Sequence, residues 1–87
     1  MQLGAFKLAG RCFLQYLESS RILNDETGIA SACSNLGVLT KTIATKDMET
    51  LQSEPSDVLE EIVKEQLYRA IQYFEEHLSI VEQHADL

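Results

Sequence analysis

The chain predicts an all-α fold of three antiparallel helices. Apolar residues recur at three- and four-residue steps over residues 3–23, about 26–50 and about 57–83. Two clusters of turn-forming residues separate these stretches, at residues 24–28 and 52–56. The last stretch contains neither glycine nor proline. Eighty-seven residues suffice for one small domain, and a chain of this length buries only a modest fraction of its surface.

The first helix places Phe6, Ala9, Phe13, Tyr16 (or Leu17), Ser20 and Leu23 on one face. Gly4 and Gly10 weaken it by about 1 kcal/mol each relative to alanine. Gly10 has a second use, because a missing side chain lets a neighbouring helix approach. Asn24-Asp25-Glu26-Thr27-Gly28 ends this helix with turn formers, and its acids suit the amino end of the next one.

Residues 28–40 are the centre of the pattern. Ile29, Ala30, Cys33, Leu36, Gly37 and Thr40 make one stripe, and its small residues admit a close neighbour. Ile43 continues the stripe. Beyond it Thr42, Thr45 and Thr50 are poor helix formers. Two readings stand: a helix to about residue 50, or one ending near Ala44 and followed by a loop. Pro55 then breaks the chain. Asp57-Val58-Leu59-Glu60 fits a capping box, with Asp57 accepting from the amide three residues on.

The third helix carries Leu59, Ile62 (or Val63), Gln66 (or Leu67), Ala70, Phe74, His77 (or Leu78) and Val81. At 1.5 Å per residue it spans roughly 40 Å, long for so small a domain.

Charge narrows the function. The formal net charge is −7, and residues 51–87 carry nine acids against Lys64 and Arg69. Such a surface repels a nucleic-acid backbone and an anionic membrane alike. It suits solvent or a basic partner. Cys12 and Cys33 are too few for a disulfide scaffold, and both fall on apolar helix faces where free cysteine acts as a small buried residue. A reduced, cytoplasmic protein is the simpler reading. No apolar run reaches the roughly 18 residues of a membrane span.

No catalytic constellation emerges. His77 and His84 lie seven apart, without the i, i+4 pairing or the Cys-x-x-Cys motif of common metal sites. His77 reads as a packing residue, and His84 as a charge suited to a helix end. Neither cysteine has a base and an orienting group at recognisable spacing. The acids of the third helix lack accompanying pocket residues. The four glycines form no phosphate-binding pattern. Neither cofactor nor metal is expected, and the chain reads as non-catalytic.

Two segments carry a resemblance. Asn35-Leu36-Gly37 looks like the Leu-Gly pair on the first helix of a tetratricopeptide repeat. Ala70-Ile71-Gln72-Tyr73-Phe74 with Leu78 looks like the Ala…Phe pattern on the second. Ala9, Cys12, Phe13 and Leu17, followed by Asn24-Asp25 and Gly28, resemble the second helix of a preceding repeat and its linker. That linker is similar to those of the longer variant, about 40 residues, in G-protein-signalling modulators and related scaffolds. His84-Ala85-Asp86 looks like the same linker beginning again.

The chain departs from the family at Cys33, Thr40 and His77. It also holds about 21 residues more between Gly37 and Ala70 than the 34-residue unit has, so residues 41–66 stand outside the resemblance.

The resemblance implies one and a half repeats of a longer array, with an elongated central hairpin, acting as a scaffold or adaptor. Ala9, Phe13, Leu36, Gly37, Ala70 and Phe74 would pack the helices. Asn35 would face a groove for a peptide or helix of a partner protein, with Ser31, Ser34, Val38, Lys41 and Thr42 around it. The plainer reading of Asn35 is a cap on an inter-helix contact. The alternative function is homodimerisation, covering Gly4, Ala5, Leu8, Ile22, Val58 and Val63, with exchange of the third helix about residues 52–56 as one route.

Overall fold

A computed structural model describes residues 3–85 of the chain. Three helices follow in order: α1 (Leu3–Ile22), α2 (Glu26–Ser53) and α3 (Asp57–Ala85). α2 packs against both others, while α1 and α3 make no close backbone approach to each other. α1 is about 30 Å long and its neighbours about 42 Å, so the paired far ends of α2 and α3 extend past the start of α1. The molecule measures 48 × 26 × 17 Å.

The α1–α2 connection is tight because one residue serves two helices. Asn24 adopts a left-handed φ of 54°, which asparagine tolerates better than most residues. Its amide donates to the Arg21 carbonyl at 3.2 Å, and the Asp25 amide to the Ser20 carbonyl at 2.8 Å. This pair of bonds closes the end of α1 as a Schellman motif. Asp25 then caps α2, its carboxylate accepting from the Gly28 amide at 3.1 Å. Gly28 is required here, since a Cβ would lie 2.5 Å from Ser20 Oγ and 2.6 Å from Asp25 Oδ2.

α2 does not stop near Ala44. The hydroxyls of Thr42, Thr45 and Thr50 donate to the carbonyls of Val38, Lys41 and Lys46, four residues back. Their competing polar groups are thus satisfied within the helix. Tertiary contact also overrides weak propensity: Ala44 is fully buried, and Gln66 Nε2 of α3 donates to Asp47 Oδ2 at 3.2 Å.

The break narrows to Glu54-Pro55-Ser56, and the cap of α3 shifts by one residue. Ser56 Oγ, not Asp57, accepts from an amide three residues on, that of Leu59 at 3.2 Å. Asp57 and Glu60 lie in the first turn, where the helix dipole favours acids. At the other end His84 and Ala85 are still helical, and Asp86 lies outside the described residues.

The core is thin and depends on close approach. Four of its eight buried apolar residues are alanine: Ala30, Ala32, Ala44 and Ala70. Leu17, Ala32, Cys33 and Leu36 form its centre, with Phe13, Ile29 and Tyr73 packed around them. Phe74 lies directly over Gly37: a Cβ there would sit 2.6–2.9 Å from three atoms of the ring. Ala9 is half-buried on α1.

Where the periodicity left two choices, burial selects Leu17 over Tyr16, Val63 over Ile62, Gln66 over Leu67 and His77 over Leu78. Val63 is therefore a core residue at 5% exposure rather than part of an outer face. Leu23, in the turn after α1, is exposed, and so is Val81. Cys33 is buried as expected, but Cys12 is exposed. Cys12 falls on the side of α1 away from α2, where no described element covers it. Among the described residues no helix is long and apolar enough to cross a membrane.

Two glycine substitutions should have opposite signs. Gly37→Ala should lose about 1–2 kcal/mol in urea unfolding, because displacing the Phe74 ring outweighs the gain in helix propensity. Gly4→Ala meets nothing within 4 Å, and should gain a few tenths to about 1 kcal/mol.

Candidate functional site

At one end of the molecule the three helices are joined by polar contacts. Arg21 of α1 donates to both carboxylate oxygens of Glu76 on α3, at 2.7 and 2.8 Å. His77 Nδ1 lies 2.8 Å from the Ala30 carbonyl oxygen of α2. Since a carbonyl only accepts, Nδ1 carries the proton and donates. His84 Nε2 lies 3.4 Å from Glu26 Oε2, joining the last turn of α3 to the first of α2.

The Arg21 hydrogen bonds and charge hold the Glu76 carboxyl below its ordinary range, against the opposing effect of burial. The same pairing raises the pKa of Arg21. Burial, followed by the nearby Glu76 charge, pushes the Cys33 thiol up to about 11. A thiol held protonated this way is a poor nucleophile.

Away from that end the space between α1 and α3 is an open groove of about 650 Å³. Leu36, Leu39, Thr40 and Ile43 of α2 form its floor. One wall is α1, through Phe6, Gly10 and Leu14, with Lys7, Arg11, Gln15 and Glu18. The other is α3, through Gln66, Arg69 and Tyr73. Leu14 is half exposed. Arg69 Nη2 donates to Glu65 Oε1 at 2.8 Å. Gln66 Oε1 is buried without a hydrogen-bond partner.

More open depressions lie elsewhere on the described surface. One follows the outer face of α3 along Asp57, Val58, Glu61, Ile62 and Tyr68, and has no second wall. Another lies at the polar end beside Thr27, Ala30, Ile80, Val81 and His84.

The residues expected around Asn35 form a strip on the opposite side of α2 from its buried face. Ser31, Asn35, Val38 and Lys41 are exposed, while Ser34 and Thr42 are half-buried. None of the six lines the groove or either depression. The helix-packing residues are closer to the groove: Leu36 lies in its floor, Gly37 and Phe74 touch each other, and Ala70 is buried.

Phe6, Leu14, Leu39 and Tyr73 were not singled out together from sequence. They lie on three helices and meet only because α1 and α3 share α2. Among the described residues no group of three histidine, cysteine or acidic side chains could hold a metal ion. No protein-family model, curated protein or solved structure matches the chain.

Two measurements check this geometry. Folding lowers the Glu76 pKa, so its contribution is present above the ordinary glutamate value, about 4.3, and is lost as pH falls through the lowered one. Both partners are partly exposed, so Glu76→Gln should cost only about 0.5 kcal/mol at pH 7, with the difference disappearing once acid protonates the Glu76 carboxyl. Thiol labelling of the folded chain should modify Cys12 readily and Cys33 only after unfolding.

Proposed function

We propose that the chain is a non-catalytic protein–protein interaction module, a scaffold or adaptor segment that holds an amphipathic helix or peptide of a partner protein. The observation carrying this reading is the α1–α3 groove, with an apolar floor, two helical walls and an open mouth. Grooves of this form accept an apolar helix face through residues spaced three and four apart. The resemblance to the tetratricopeptide repeat supports the same class of function. It would place the ligand on the Asn35 strip, whereas the concavity favours the other side of α2. The exposed Cys12 thiol suits a reducing compartment such as the cytoplasm.

Homodimerisation is a second reading, favoured by the surface. The accessible area is 6254 Å², where a compact monomer of 9.8 kDa has about 5,200 Å². The excess is roughly what one partner buries in a standard interface. Leu8, Ile22 and Val58 are among the large apolar residues left exposed, and Gly4 and Ala5 are exposed as well. Exchange of α3 would hinge at residues 54–56.

Fluorescence anisotropy with labelled amphipathic peptides of about 18 residues tests the module reading. Saturable binding should weaken at least about tenfold in Thr40→Arg, which fills the groove from its floor, and persist in Asn35→Ala. Loss in Asn35→Ala alone would move the site to the strip. Absence of binding, with a dimer in sedimentation at micromolar concentration, would replace the module reading with homodimerisation.

A further inference from the structure

The groove differs in charge from the rest of the molecule. The chain carries seven Lys and Arg residues and a net charge of −7. Three of those cations, Lys7, Arg11 and Arg69, line the groove, against a single carboxylate, Glu18. Lys7 and Arg11 stand one helical turn apart on the α1 wall, and among the described residues neither has an ion-pair partner. Arg69 stands on the facing wall, where Glu65 occupies one of its nitrogens. The outer face of α3 leans the other way, with Asp57, Glu61 and Glu65 against the single cation Lys64, beside Val58 and Ile62.

Covering the groove with a neutral or basic helix would desolvate Lys7 and Arg11 without compensation, or oppose like charges on all three cations. A helix with carboxylates flanking its apolar stripe avoids both costs.

Building on the groove as the binding site, we infer that its occupant is an acidic amphipathic helix from a different protein. The apolar stripe of that helix lies on Leu36, Leu39 and Ile43. Carboxylates one turn apart face Lys7 and Arg11, and another on the opposite flank faces Arg69. From Phe6 to Glu18 the α1 wall runs about 18 Å, room for roughly three turns. The apolar contact supplies most of the affinity. The rim charges choose the partner and speed its encounter.

The test uses two peptides sharing one leucine stripe, one flanked by glutamates and the other by lysines. Each is titrated by anisotropy into the wild-type chain and a triple variant, Lys7→Glu, Arg11→Glu and Arg69→Glu. Circular dichroism checks that the variant is folded. The glutamate peptide should bind the wild-type chain about tenfold or more tighter at about 50 mM salt, the preference narrowing near 0.5 M. In the triple variant the preference should reverse.

Equal binding of both peptides, or preference for the lysine peptide, overturns the acidic occupant and leaves the groove reading standing. Failure of both to bind overturns the groove reading as well. The outer face of α3 offers the same chemistry as the acidic peptide. A wild-type dimer that the triple variant abolishes would therefore make the occupant a second copy and overturn the different protein.

Discussion

The close contact of Phe74 with Gly37 sets the spacing on which the rest of the structure depends. Without a side chain at position 37, α3 comes close enough for alanines to form the buried surface at Ala30, Ala44 and Ala70. That contact uses one side of α2. Another side, through Ala32 and Leu36, receives Leu17 and Phe13 of α1. A helix that packs two neighbours on adjacent faces holds them beside each other without requiring them to touch. The interval between them is the groove. It is thus a consequence of how α2 divides its small and apolar residues.

The ends of that interval are unequal. Where the chain turns from α1 into α2, Arg21, Glu76, His77 and His84 tie the helices together through polar groups. Each contact is partly exposed and of modest energy. Arg21–Glu76 ties α1 to α3 directly, while His77 and His84 hold α3 to α2 at the same end. Toward the start of α1, among the described residues, no side-chain hydrogen bond or ion pair joins its wall to α3, and apolar side chains form the floor of the gap between flanking charged groups. The molecule is therefore anchored at its polar end and open at its apolar one.

The element order was legible in the sequence because each helix is long, periodic and bounded by strong punctuation. Gly37 and Phe74 were each marked as helix-packing residues, but their direct contact, 37 positions apart in sequence, was not legible. The inward face of α3 was less so. Leu67, Ile71, Leu78 and Val81 form an apolar stripe beside the one that is buried, and periodicity alone cannot rank two adjacent stripes. The structure buries Gln66 and His77 in preference because each meets a polar group of α2: Asp47 for one, the Ala30 carbonyl for the other. Such pairings join residues 19 and 47 positions apart, beyond the reach of a local pattern. The persistence of α2 past Ala44 has the same origin. The groove was not legible, because its lining comes from three helices and its existence depends on a gap.

An isotope-filtered NOE experiment on the chain bound to the glutamate-flanked peptide reports which side of α2 is occupied. A peptide seated in the groove gives contacts from its leucine methyls to Leu39, Ile43 and the Tyr73 ring. Contacts to Val38 and the Asn35 side chain, with none to Leu39 or Tyr73, would contradict that seating.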